Sequence, residues 1–259
     1  MIKIENITQH YSVRPVVRNL SLRINRGELV AVMGPNGMGK STLLRVVAGV
    51  LCPLKGYVEI NGRRRRETVD SELAIRKQVV YLPDHPWIPR NSTGREFLVA
   101  VGQLYDIEIE RLLEHSSRLL NLFNLSKQED APIRSYSNGQ QRKIAICSAL
   151  VTEAPVMILD EPFTGGLDPS GILALKRVLQ RLAERDDVTV LVASQVPELV
   201  EKLAHRVAVL RDGELLACET VDGLRSLTDC DGSLQEVLER LIHPEALENI
   251  EQYFQERSK

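Results

Sequence analysis

The chain has 259 residues, 43% of them hydrophobic, which is enough for one large domain or two small ones with a proper core. Lys+Arg 33 against Asp+Glu 35 leave a net charge of -2, so no overall field points to DNA, RNA or an anionic membrane surface. Four scattered cysteines, Cys52, Cys147, Cys218 and Cys230, form no CxxC pair and fit neither a disulfide framework nor a zinc site; they read as buried or idle thiols in a reducing cytosol.

The opening residues MIKIENITQHYS lack the charged start, apolar centre and small-residue cleavage site of a secretory signal, so no export is expected. No run of roughly 18 apolar residues occurs, so any membrane role is expected to be borrowed from another chain. IKIENI and LSLRI alternate apolar with polar, as antiparallel strands with one wet face do. LVAVM (29–33), VVYL (79–82), VMILD (156–160), VTVLVAS (188–194) and RVAVL (206–210) do not alternate, and predict parallel strands covered on both faces. Arg63 to Arg66, beside Asn61-Gly62, read as a solvated hairpin end rather than a nucleic-acid patch. From Thr93 to Val151 the pattern is helical, with Ile109, Leu112, Leu113, Leu119, Leu120 and Phe123 spaced for one face. After Val209, RDGEL predicts a turn at Gly213 and a further strand. Ser233 with Glu236 is a capping-box start, followed by an apolar stripe of Leu234, Val237, Leu238, Leu241 and Ile242.

Two segments carry chemistry. GPNGMGKST, Gly34 to Thr42, matches G-x-x-x-x-G-K-[ST] between an apolar strand and a helical run, the context of a phosphate-binding P-loop. Gly34, Gly37 and Gly39 let the backbone turn its N–H groups towards an anion, with Pro35, Asn36, Met38 and Thr42 completing the cradle. Lys40 is placed to reach the β- and γ-phosphates, and the Ser41 hydroxyl to ligate Mg²⁺. Phosphoryl transfer to water also needs a second metal anchor and a group that orients the water. Asp160 and Glu161, at the end of VMILD, supply one each.

YSNGQQRK, Tyr136 to Lys143, precedes a helical run and lies about 20 residues before Asp160, in an order that resembles the signature motif of ABC-type ATPases. Ser137 is expected to cap the helix and present its hydroxyl to an anion, Gly139 to allow close backbone approach, and Gln140 to complete the nucleotide contact. Asn138 stands where the family has glycine. The resemblance runs from Ile2 to about Cys218. It implies an α/β P-loop NTPase core with a mixed sheet, an antiparallel β subdomain and an inserted α-helical subdomain at about 84–154, the ATP-binding domain being 1–218 and a helical extension 219–259.

It also implies ATP and Mg²⁺ as ligands, and an identical or related second subunit that seals each nucleotide head to tail. A separate transmembrane permease would hold the chain peripherally on the cytoplasmic face of the membrane, with an exporter suggested by the tail. Tyr11 matches the family's adenine-stacking aromatic, or is an exposed loop tyrosine. Gly165 to Pro169, GGLDP, resembles the loop that follows the catalytic glutamate, with Asp168 and Pro169 also a good helix start. Asp84 falls where the family carries a glutamine that senses Mg²⁺ and water; it reads as a hydrated-metal ligand or as a plain turn residue before Pro86. Gln195, in LVASQVPELV, takes the place of the switch histidine. An amide can donate to a phosphate oxygen but neither carries charge nor takes a proton, so slow but real hydrolysis is expected, the loss being about 10²- to 10⁴-fold if proton transfer matters. His205 reads as a surface or packing histidine. The competing reading is a soluble or regulatory ABC-type protein that binds ATP with little turnover.

Overall fold

The computed structural model of the protein describes residues 1–11, 15–246, 249 and 253. Strands β1 (Ile2–His10) and β2 (Pro15–Ile24) open the chain, then β3 (Leu29–Met33), α1 (Lys40–Val47), β4 (Lys55–Ile60), β5 (Arg63–Arg64), α2 (Val69–Arg76) and β6 (Val79–Leu82). The helical stretch holds α3 (Gly94–Gln103), α4 (Ile109–Leu122) and α5 (Asn138–Leu150). The chain then returns through β7 (Val156–Asp160), α6 (Pro169–Ala183), β8 (Thr189–Ala193), α7 (Pro197–Val200), β9 (Arg206–Arg211) and β10 (Glu214–Glu219), and continues into α8 (Val221–Thr228) and α9 (Leu234–Ile242).

Two sheets result. β2-β1-β4-β5 is antiparallel throughout, while β10-β9-β3-β8-β7-β6 is parallel from β9 to β6 with β10 added antiparallel at its edge. Every residue of β3, β7 and β8 is buried, because each of these strands is covered on both faces, as their unbroken apolar sequences require. Successive side chains point to opposite faces. Leu29, Ala31 and Met33 therefore join Val190 and Val192 in a core with the helical stretch, and Val30 and Val32 join Leu191 and Ala193 in a core with α1 and the antiparallel sheet. Both cores are anchored on one central sheet, so the phosphate loop, at the end of β3, sits where the two halves meet.

The helical stretch shares its apolar cluster with one face of that sheet rather than enclosing a core of its own. On α4, Leu112, Leu119 and Leu120 are buried, as is Phe123 just beyond it, but Ile109 and Leu113 are 39% and 43% exposed. Ile109 opens the helix, and Leu113 stands about 100° around from Leu112, at the stripe's edge; Ser116 takes the buried place instead. The basic run is also only partly solvated: Arg65 points inward, donating to the Val47 carbonyl at 2.8 Å and to Glu72 at 2.9 Å. At the C-terminal end β10 runs through Glu219, one residue past the expected end of the ATP-binding domain. The predicted capping box at Ser233 and Glu236 is present, and Leu234, Val237, Leu238 and Ile242 pack into the core. Of the expected extension, 247, 248, 250–252 and 254–259 lie outside the described residues.

Candidate active site

The C-terminal ends of β3, β7 and β8 place three segments side by side. After β3 the chain turns through the glycine loop into α1, with Gly37 and Gly39 at φ +81 and +95; Gly37 meets nothing within 4 Å of where a Cβ would stand, so its backbone geometry rather than packing calls for glycine. Gly39 also lies so close to Val16 that a Cβ would come 2.5 Å from its carbonyl oxygen. The first turn of α1 has no side-chain cap and no acidic residue, so its N–H groups and dipole face outwards without an internal anion. Lys40 lies buried across this loop, its Nζ donating to the carbonyls of Gly34 and Pro35 at 2.7 and 3.1 Å. Burial holds its pKa below the ordinary lysine value, against the pull of Glu161 and Asp160.

Asp160 ends β7 fully buried. Its Oδ1 accepts from the Ser41 hydroxyl at 3.0 Å and its Oδ2 from the Tyr81 hydroxyl at 3.3 Å. Burial raises its pKa, a shift that the Ser41 and Tyr81 hydrogen bonds oppose and nearby Asp84 reinforces. Glu161 follows in left-handed backbone, φ 48, with its N–H on the Ala193 carbonyl at 2.9 Å. That turn swings the carboxylate towards β8, where Oε2 accepts the Gln195 backbone N–H at 3.2 Å; Oε1 is buried with no partner among the described residues. Burial raises the Glu161 pKa too, opposed first by the Gln195 side chain and then by Lys40. Gln195 thus serves the glutamate.

The remaining residues fall into place around this group. Asp84 follows β6, close enough to Asp160 to act on it electrostatically, with its carboxylate 3.5 Å from His85 Nε2. The Tyr11 hydroxyl lies 3.4 Å from Thr42 Oγ1. His205 is a structural residue, its Nδ1 accepting the Leu29 N–H at 2.9 Å. Ser137, Gly139 and Gln140 stand apart at the first turn of α5, where Ser137 Oγ accepts the Gln140 N–H and Gln140 Oε1 accepts the Ser137 N–H, a closed capping box. Asn138 opens the helix without a positive φ, so its backbone does not call for the glycine the family has there. Gly139 is required: a Cβ there would lie 2.8 Å from the Gly166 carbonyl oxygen. Among the described residues no hydrogen bond joins this turn to the phosphate loop.

Three side chains that sequence reasoning passed over complete the site. Arg142, buried, donates to the carbonyls of Asp84 at 2.6 Å and Glu161 at 2.5 Å, and at longer range to those of Pro83 and Asp160. Lys143, also buried, pairs with Asp168 at 2.8 Å and so ties α5 to the loop before α6. The one sequence signal for Tyr81, a polar tip in an otherwise apolar strand, says that a buried phenol needs a hydrogen-bond partner but not which one; burial pushes its pKa up to about 12 and keeps it a donor.

An uncapped helix N-terminus, a buried lysine across a glycine loop, a hydroxyl and carboxylate 3.0 Å apart and an unpaired carboxylate oxygen fit a triphosphate carried with a hard divalent cation.

Comparison with known proteins agrees with this geometry. The family model described as ABC transporter matches residues 17–164. The daunorubicin resistance ATP-binding protein of Streptomyces coeruleorubidus is 32% identical over 230 residues, 89% of this chain and 71% of that protein. A lantibiotic transport ATP-binding protein of Streptococcus pyogenes is 26% identical across 88% of this chain and 95% of its own length. Among solved structures, an ATP-binding subunit of an ABC transporter superposes with a TM-score of 0.85 at 27% identity, covering 93% of this chain and 99% of that one. A dimeric ATP-binding cassette in a post-hydrolysis state with ADP and Pi superposes with a TM-score of 0.76 at 26% identity, over 85% of this chain and 98% of that one.

Proposed function

Since the chain belongs to the ABC transporter family as an ATP-binding, ATP-hydrolysing subunit, we propose that its two lobes turn ATP hydrolysis into movement of a separate transmembrane permease, most simply an exporter. The observation that carries the assignment of roles is the meeting of Ser41 with Asp160 beneath the loop that holds Lys40, with the free oxygen of Glu161 beside them. In this reading Gly34, Pro35, Asn36, Gly37, Met38, Gly39 and Thr42 present the cradle to the phosphates, and Lys40 leaves its two carbonyls for the β- and γ-phosphates. Tyr11 lies under the adenine. Ser41, Asp160 and Asp84 would hold Mg²⁺, which when bound would neutralise developing charge on the phosphates. Glu161 orients and deprotonates the attacking water, a task suited to a carboxyl whose proton affinity is raised by burial.

Ser137, Gly139 and Gln140 lie away from the cradle of their own chain, which supports a head-to-tail pair in which they close the site of a second subunit. The dimeric relative bound to ADP and Pi lends the same support. Among the described residues no helix is long and apolar enough to cross a membrane, so attachment at the cytoplasmic face falls to the permease. The exporter reading draws on the relatives named for daunorubicin resistance and lantibiotic transport. The regulatory reading, with little turnover, keeps one specific support: Gln195 neither carries charge nor accepts a proton from Glu161.

The test is steady-state ATPase of the purified protein, alone and reconstituted with the permease that co-purifies from solubilised membranes. Turnover well above a Glu161→Gln control supports the motor; turnover no higher than that control sinks it and leaves the regulatory reading.

A further inference from the structure

Asp160 is fully buried, and each of its carboxylate oxygens accepts from one hydroxyl. Oδ2 takes the Tyr81 hydroxyl, on β6, at 3.3 Å, and Oδ1 takes the Ser41 hydroxyl, in the first turn of α1, at 3.0 Å.

We propose that Tyr81 is a positioning residue for the metal anchor: its hydroxyl fixes the rotation of the Asp160 carboxylate, so that Mg²⁺ meets a ligand already oriented. Partners of this kind behind a metal-binding carboxylate are typically worth about 10- to 100-fold in metal affinity or activity. The proposal rests on the reading of Asp160 as the metal anchor.

The experiment is Mn²⁺ titration, followed by electron paramagnetic resonance, of the purified chain with a non-hydrolysable ATP analogue. Tyr81→Phe keeps the ring and removes only the hydroxyl. The expected result is Mn²⁺ affinity weakened roughly 10-fold or more, while the melting temperature and the metal-free affinity for the analogue stay at parental values. The Mg²⁺ concentration for half-maximal ATPase should rise by a similar factor, with kcat recovered at saturating Mg²⁺. Asp160→Asn separates the two levels of the reading. If that variant loses Mn²⁺ while Tyr81→Phe binds it as the parent does, the positioning role is overturned; if Asp160→Asn itself binds Mn²⁺ normally, the anchor assignment falls as well.

Discussion

Glu161→Gln should stabilise the protein while stopping it. Glu161 is 6% exposed, its Oε1 has no hydrogen-bond partner among the described residues, and it sits beside the buried carboxyl of Asp160. An unpaired buried acceptor costs about 1–3 kcal/mol, and more when it is charged. Glutamine keeps the Gln195 N–H as a donor to its amide oxygen and still leaves one orphan, but that orphan is neutral. The net gain is therefore about 1 kcal/mol, or roughly 2–4 °C in Tm for a domain of this size. The dependence on pH has a definite sign. The carboxyl holds its proton more tightly folded than unfolded. Its contribution to stability is thus fully present below the unfolded value and is lost as pH rises through the folded one. The glutamine variant has no such loss, so its advantage should be wider at pH 8 than at a pH low enough for the parent to take up its proton. Differential scanning calorimetry without nucleotide, at both pH values, measures this directly, and steady-state ATPase should fall by about 10²- to 10⁴-fold in the same variant. A variant that melts at or below the parent at pH 8 would refute the claim that the fold bears a cost for an ionised glutamate.

Gln195→His should raise kcat, by up to about 10²- to 10⁴-fold if proton handling limits the parent; an unchanged rate would mean that the glutamine does not throttle turnover. Gly139→Ala should weaken ATP-dependent pairing of subunits, seen by size-exclusion chromatography in a Glu161→Gln background. ATP binding to the separate subunit should be unaffected, because the added Cβ meets the Gly166 carbonyl oxygen and not the phosphate loop. In Arg142→Lys a single ammonium replaces the planar fork and cannot span both pairs of carbonyls. The expected outcome is a fall in kcat with little change in the KM for ATP; a change confined to KM would count against the role of Arg142 in holding the two loops together.

The parts of the site that were legible in the sequence are those whose chemistry is contiguous. Gly34 to Thr42 must be read as one segment because adjacent N–H groups and one helix start make the cradle, and Asp160 with Glu161 because a buried strand ends on them. Their order along the chain located Gln195 and Ser137 without any knowledge of contacts. Arg142 was not legible in the same way, since its carbonyl partners lie 58 and 19 residues away in sequence and a carbonyl belongs to every residue type. Tyr81 and Arg65 were hidden for a related reason. Their neighbours are chosen by the packing of β6 and α2, so a phenol in an apolar strand and an arginine in a basic run look like ordinary surface chemistry until the fold gives them partners. The misplaced Ile109 and Leu113 show the reverse error: helical spacing identifies a face but not how far the neighbouring elements cover it.

What those hidden partners do bears on how the two lobes work together. β6 and β7 are paired side by side up to Leu82 and Leu159, but Asp84 and Glu161 lie beyond the last paired residues, where the ladder no longer ties them together. Arg142 supplies that tie from a third element, α5, whose first turn carries Ser137 and Gly139. One guanidinium therefore touches the carbonyl of Asp84 and the carbonyl of Glu161 while riding on the helix that would meet a second subunit. Lys143, the next residue, holds Asp168 from the same helix. A displacement of α5 cannot leave Glu161 where it was without breaking hydrogen bonds to a buried cation, which is costly because burial already disfavours its charge. In the proposed reading, closure at the first turn of α5 would therefore be coupled to placement of the glutamate, with Gln195 and the unpaired Oε1 at the end of the linkage where water would be met.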